Sequence, residues 1–459
     1  MQFNNKMKKI IITIIALFVI IPVEAQYSLD SCKKMAVLNN AKVKNALLEV
    51  DAAGQTKKAA FTKYFPQISA TGSAFKSNRS FIDVDLNDVD LNITFEDQRL
   101  NDILQTIYSN YGDYLPDATI NAKIMDDGIV GGVTAIQPVF AGGRIVRGNQ
   151  LAKLGVEASR YKCNIAEDEV LLKTEESYWL IVSLKEKLRT LASAEKLLDT
   201  LQKDVSGALE SGVIIQNDLL KVKLKQNELR SNRLKIENGI ALATMGLCQY
   251  IGLSSQEQIQ LTDSIDFDKD IPAPWPYKTA HDEALKNRNE YKLLDLSVES
   301  ERLKKKMLVG ETLPQVGVGA GYLYNNLMGK NNTNGVIFAT VTVPLSEWWE
   351  AGYNIKKQKI QQQIAENNRN DKNELLLLQM QQAWNSVEES YSQILLAKEA
   401  MDEANQNLKV STDYYRSGMK TISEVLEAQT LLQQARNQYT DQAIQYRIKL
   451  TSYLQMVKK

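Results

Sequence analysis

The chain has 459 residues, with 55 basic and 55 acidic side chains, one histidine and three cysteines. A net charge of zero gives no electrostatic footprint for nucleic acid, so no nucleic-acid partner is expected. A single histidine excludes a multi-histidine metal site and leaves any Ser-His-Asp triad resting on His281, which reads as a surface residue near a helix start; three cysteines give no disulfide framework.

Residues 1–25 read as a secretory signal. Lys6, Lys8 and Lys9 precede an apolar stretch from Ile10 to Ile21, and Val23-Glu24-Ala25 offers a small-residue cleavage site. The apolar stretch is shorter than the roughly 20 residues that a bilayer-spanning helix needs. No later stretch is long and apolar enough, so an exported chain of this kind enters a membrane only by strands. Cys32 lies too far past the apolar stretch for a lipoprotein site, and Asp30 fits one poorly.

A helix is expected over about 29–64, stopped by Pro66, then a strand over about 67–77. Extra sequence follows, with an acidic run from Asp83 to Asp90, and then a strand over about 129–139. All nine prolines lie outside 139–271 and 345–459, and from Tyr353 to Lys459 the only glycine is Gly418. Proline costs about 3 kcal/mol inside a helix and glycine about 1, so these runs are helical. Long helices are predicted at about 144–209 and 351–415, with returning helices at about 216–250 and 421–457. Gly212 and Gly418 read as the turns between them. Trp384, Val387, Tyr391, Ile394, Ala397 and Met401 step by three or four, as do Ile181, Leu184, Leu188 and Leu191, which is a coiled-coil seam. Residues 252–278, with Pro272, Pro274 and Pro276, form an equatorial linker, followed by a helix over about 279–312. Two more strands are expected at about 315–325 and 335–343. From Gln315 to Tyr322, small and apolar residues alternate, which suits either a tilted crossing of an outer membrane or a soluble hairpin at the end of a coiled coil. Trp348 and Trp349 fit an interfacial aromatic belt or packing where strand becomes helix.

The chain is written twice. Pro138 is followed 73 residues later by Ser211-Gly212, and Pro344 is followed 73 residues later by Ser417-Gly418. Tyr178 matches Trp384 and Arg230 matches Arg436 in that register, while Asn39, Pro66 and Gln67 match Asn287, Pro314 and Gln315 in a second. The two offsets, 206 and 248, differ by the 42 residues of extra sequence between Pro66 and Pro138. A period this long is a duplicated domain half. The first repeat is expected over 26–251 and the second over 279–459. The architecture is therefore mostly α with β: duplicated coiled-coil hairpins joined to two β-hairpins. Four strands cannot close on themselves, and an open edge in lipid leaves unpaired backbone groups costing several kcal/mol each. A membrane-inserted copy must borrow strands from other copies.

The order, spacing and duplication of these features resemble the TolC-type outer-membrane efflux family, over about 27–459. The matching residues are Pro66-Gln67 and Pro314-Gln315 at helix-to-strand junctions, Pro138 to Gly143 at a strand-to-helix junction, and the two tip turns, above all Tyr415 to Gln429. Ser346 to Gly352, after Pro344, departs from the family's Phe-x-Gly-Gly pattern and puts that local turn in question. The resemblance implies a homotrimer with a twelve-stranded barrel in outer-membrane lipid and a periplasmic helical tunnel. It implies a passive exit duct of a tripartite efflux or type I secretion system, served by a periplasmic adaptor (membrane fusion) protein and an inner-membrane RND, ABC or MFS transporter. The 42-residue insertion would lie outside the cell. By the same resemblance, Glu424 and Glu427 would line the periplasmic constriction, and Tyr415 and Lys420 would hold the tip closed against Asn217 and Asp218. The ordinary reading of these six is polar residues at helix ends. The rival for the whole chain is an exported coiled-coil stalk or adhesin without channel activity.

Overall fold

The computed structural model describes residues 26–78, 82–85, 102, 121–124, 127–212, 214–257, 259–267, 271–327 and 330–458. The expected signal, residues 1–25, and the part of the acidic run beyond Asp85 lie outside the described residues. In chain order the elements are β1 (Gln26–Tyr27), α1 (Leu29–Asn39), α2 (Ala41–Phe61), β2 (Gln67–Lys76), β3 (Ile82–Asp85), β4 (Asn121–Ile124), β5 (Asp127–Ala141) and α3 (Arg144–Glu210). They continue with α4 (Gln216–Ile251), β6 (Gln260–Leu261), α5 (His281–Leu285), α6 (Asn289–Glu311), β7 (Gln315–Leu327), β8 (Lys330–Thr342), α7 (Glu347–Arg416) and α8 (Ile422–Val457). The contacts divide the chain into two compact units. A helical one comprises the residues up to Thr56, Ala152–Glu301 and Ile360–Lys459; a sheet-bearing one comprises Lys57–Leu151 and Arg302–Lys359.

The helical unit buries the seams read from the sequence. Tyr178 and Trp384, the duplicated pair, are both fully buried and anchor separate cores. Tyr178 sits with Val170, Ile181 and Ile394, and its hydroxyl donates to the carboxylate of Asp263 in the linker. Trp384 packs against Tyr453 at 5.0 Å between ring centres, with the Lys278 ammonium 5.2 Å from its own ring centre. A third core joins Leu198, Val205, Val222, Ile422 and Val425 around the tip turns. The buried carboxylate of Glu175 is neutralised by Lys33 Nζ at 2.5 Å and accepts from Thr451 Oγ1 at 2.8 Å, so one acid on α3 ties α1 to α8.

Four expectations change. The helix expected over 29–64 breaks at Asn40, which is extended backbone, and the one expected over 279–312 breaks between Leu285 and Asn289. The short parallel pair β1–β6 and the antiparallel pair β3–β4 are additional to the expected strands. His281 is half-buried, its Nε2 3.3 Å from the Tyr453 hydroxyl, where it was expected at the surface. The Ser346–Gly352 turn is resolved: α7 begins at Glu347 and Gly352 lies inside it, whereas Gly142 and Gly143, at the matching place in the first half, both take positive φ. All three cysteines are buried free thiols.

In the second unit the main sheet has, among the described residues, the strand order β2-β5-β7-β8, antiparallel throughout. The register places Ile68, Ala135, Ala320 and Ile337 in one row across the four strands, and Ala70, Val133, Tyr322 and Gly335 in the next. Successive side chains alternate faces, so these rows share one face and the intervening residues share the other. That other face carries Gln67, Ser69, Thr71 and Ser73 on β2. The Ser69 and Thr134 hydroxyls pair across strands at 3.1 Å on it.

Candidate functional site

Two places in the fold carry functional geometry: the tip of the helical unit and the faces of the sheet. At the tip, α3 and α7 each end in a glycine with positive φ, 74° at Gly212 and 78° at Gly418, a conformation in which a side chain is strained. The Gly212 N–H donates to the Leu209 carbonyl and the Gly418 N–H to the Tyr415 carbonyl, each at 3.0 Å. The returning helices start differently. α4 has Ile215 as its cap with no side-chain hydrogen bond, while α8 is capped by Thr421, whose hydroxyl accepts from the Glu424 N–H as the Glu424 carboxylate accepts from the Thr421 N–H at 2.8 Å. Reciprocal capping of this kind satisfies two otherwise unpaired donors.

Glu424 and Glu427 are both exposed. Glu424 is held below the usual carboxylate range by the Thr421 backbone N–H, then by the Thr421 hydroxyl. Tyr415 is partly buried against the tip core. Burial pushes its phenol up, and the Asp204 and Asp218 carboxylates add to this. Lys420 Nζ donates to the buried Ser411 hydroxyl at 2.9 Å, within its own hairpin. Asp218 accepts from Lys221 Nζ at 3.3 Å, and the same ammonium donates to Ser423 Oγ at 2.9 Å. Lys221, which the spacing did not single out, therefore joins the first-half tip to the second, and Asn217 stays exposed. The one signal for Lys221 in the sequence is its position one helical turn after Asp218.

A depressed folded-state pKa means that the cap stabilises above the unfolded carboxylate range and is lost as the pH falls through the folded value. Thr421→Ala is expected to cost about 1 kcal/mol at neutral pH. It should also flatten the acid dependence of amide exchange in the first turn of α8. Protection in that turn that is unchanged by the substitution at both neutral and acid pH would contradict the cap.

The junction prolines mark one end of the sheet. Pro66 separates the 3-10 turn Thr62–Tyr64 from β2, and Pro314 separates α6 from β7. Pro138 lies inside β5, where the pairing with β7 shifts register between Pro138 and Phe140, as expected of a residue that cannot donate to the ladder. Pro344 precedes α7, its carbonyl accepting from the Glu347 N–H. On the apolar face Ile337 is 92% exposed and Ile68 73%, an unusual display of bare isoleucine for a surface in water. Tyr322 and Tyr324 stand on the same face toward the far end of the strands, and Trp348 and Trp349 follow β8 at the near end. The opposite face, with Gln67, Ser69, Thr340 and Thr342, lines an open cavity of about 760 Å³ that Lys63 and Arg144 also border. One bare aliphatic face, an opposite face that carries the hydroxyls together with Ile136 and Phe338, and aromatics at both margins resemble the wall of an outer-membrane barrel. No helix among the described residues is long and apolar enough to cross a membrane.

Residues 282–455 match the sequence family described as Outer membrane efflux protein. That match covers most of the second repeat, the part of the chain that carries the Tyr415–Gln429 tip. The fold agrees. It is similar to VceC from Vibrio cholerae at 14% identity and a TM-score of 0.70, over 94% of this chain and 95% of that one. It is similar to CmeC from Campylobacter jejuni at 13% identity and a TM-score of 0.70, over 94% and 85%. MtrE from Neisseria gonorrhoeae, in its open state, gives 12% identity and a TM-score of 0.70, over 94% and 88%. No curated protein sequence matches the chain. The match over the second repeat and the similar folds indicate the outer membrane of a Gram-negative bacterium, with an extension into the periplasm. The family that matches the second repeat and the folds similar to this one are those of channels, not enzymes.

Proposed function

We propose that the protein is the passive exit duct of a tripartite efflux or type I secretion system. It works as a homotrimer whose three sheets close a twelve-stranded barrel. A periplasmic adaptor and an inner-membrane RND, ABC or MFS transporter supply substrate and energy. The repeats 26–251 and 279–459 give each copy two quasi-equivalent walls, joined by the linker 252–278. The observation that carries this reading is a sheet with one bare apolar face whose first and last strands, β2 and β8, have no partner on their outer edges among the described residues. Unpaired strand edges in lipid are untenable, so neighbouring copies pair them. Exposed Leu220, Leu224, Leu234, Leu242 and Met245 run along α4 at near-heptad spacing and offer a seam for the next copy. Heat-resistant oligomers in outer-membrane extracts, with mass for three chains by native mass spectrometry, are the expected result. A folded bilayer-embedded monomer would overturn the reading.

The tip is the periplasmic gate. Glu424 and Glu427 from three copies form a ring of carboxylates; Lys221 joins the two hairpins of one copy, and Tyr415 and Lys420, with Asn217 and Asp218, hold the tip closed in the trimer. Glu424→Gln with Glu427→Gln is expected to weaken cation preference in single-channel recordings. An unaltered reversal potential in a salt gradient would remove the ring from the mechanism. Lys420→Ala with Tyr415→Phe should raise conductance by loosening the closed tip.

A further inference from the structure

The strand–helix junctions of the sheet-bearing unit fall together. Gln67 lies opposite Ile136, and Gln315 lies opposite both Ala141 and Thr342, so all four chain segments leave the sheet at the same end. The segments just beyond, 57–64, 144–151, 302–311 and 347–359, carry twelve Lys or Arg and only three Asp or Glu, in a chain whose charges cancel as a whole. Glu311 faces Arg144, itself one of the twelve, at 3.8 Å, and Glu350 accepts from Asn354 at 3.3 Å. Lys57, Lys58, Lys356, Lys357 and Lys359 are exposed. Beside them stand bare aromatics, Trp349 at 81% exposure and Tyr353 at 74%, with the Lys356 ammonium 5.8 Å from the centre of the Tyr353 ring.

We infer that these helix ends form a basic collar that binds the anionic phospholipid headgroups of the leaflet facing the periplasm. The inference rests on the outer-membrane placement proposed above. Lys304 to Lys306 and Lys356 to Lys359 lie five to twelve residues from the ends of their helices nearest the sheet, which is roughly 8–18 Å at 1.5 Å per residue. A headgroup layer about 5–7 Å deep, a flexible lysine stem and a Debye length of about 8 Å cover that range. Apolar face, interfacial tryptophan and lysine follow one another in the order in which a bilayer presents hydrocarbon, interface and charge. Anionic phospholipid is the partner that supplies negative charge at that depth.

The test uses the purified full-length protein and vesicles of dioleoylphosphatidylcholine, with and without phosphatidylglycerol as a minority component. Flotation should show association roughly tenfold tighter on the anionic vesicles, with the difference shrinking as salt is raised. Lys356→Gln, Lys357→Gln and Lys359→Gln together should remove most of that preference while insertion into neutral vesicles, read by conductance, persists. Lys57→Gln with Lys58→Gln tests the same collar independently should the first variant fold poorly. Neutralising Lys196, Lys203 and Lys235, which are exposed on α3 and α4, should leave the preference intact. Equal association of the unaltered protein with both vesicles, or a preference untouched by either collar variant, overturns the collar and leaves the membrane reading standing. Failure to insert into either vesicle overturns both.

Discussion

Replacing Gly142 with alanine is expected to cost about 3–5 kcal/mol, while the same change at Gly143 costs about 1–2 kcal/mol. Both glycines have positive φ, 61° and 75°, so both substitutions incur the left-handed strain of an L-residue. The difference lies in what a new Cβ would meet. At Gly143 nothing stands within 4 Å. At Gly142 the Cβ would run into the carbonyl oxygen of Gly310, with its carbonyl carbon at 2.7 Å and its Cα at 2.9 Å. These are backbone atoms of α6 and cannot rotate away. The approach is reciprocal, since a Cβ on Gly310 would lie 3.0 Å from Arg144 Cγ and 3.2 Å from the Gly142 carbonyl carbon. The close pass locks the turn from β5 into α3 against the end of α6, where the sheet begins. Melting of the detergent-purified variants measures the difference directly. Equal stability of the two alanine variants would mean that the close pass contributes nothing beyond the turn itself.

What the sequence discloses, and what it hides, follows from the range of the forces involved. Helices and strands are legible because proline is excluded from helix interiors and glycine is disfavoured there for local reasons, and because alternation on β7 has a period of two. The break at Asn40 has no such signature. The Asn40 side chain accepts the Lys42 N–H at 2.9 Å and donates to the Tyr250 carbonyl at 3.0 Å, while Asn39 donates to the Ile251 carbonyl at 3.2 Å. Those partners at the end of α4 are more than two hundred residues away, and no local window contains them. The duplication held a clue, because Asn39 pairs in register with Asn287 and both positions fall at helix breaks. β1 and β6, two residues each, are too short to show any period. At the tip the turns at Gly212 and Gly418 are local and readable. Which hydroxyl a lysine reaches is not, and neither Lys420 with Ser411 nor Lys221 with Ser423 is written in residue spacing.

Ile337→Arg separates a lipid-facing wall from a soluble hairpin more sharply than any change at the tip. On a protein in water, arginine at a position 92% exposed would alter stability by about 0.5 kcal/mol or less. On the lipid face of a barrel near the bilayer midplane it costs about 2–4 kcal/mol, and the proposed trimer would incur that three times. The depth can be placed from the register. Ile337 is five residues from Thr342, which is about 17 Å along the strand and about 13 Å of height at the usual tilt, half of an apolar band about 25 Å tall. Its row, Ile68, Ala135 and Ala320, holds no polar atom that could shelter a guanidinium. Thr71→Arg is the matched control: Thr71 is also exposed on the sheet, but alternation puts it on the polar face, where arginine can stay hydrated. Ile337→Arg should therefore deplete the outer-membrane fraction and slow refolding into vesicles, while Thr71→Arg should insert normally and shift ion preference. If both variants insert as the unaltered protein does, the bare isoleucines face water, and the barrel wall must be abandoned for the coiled-coil stalk.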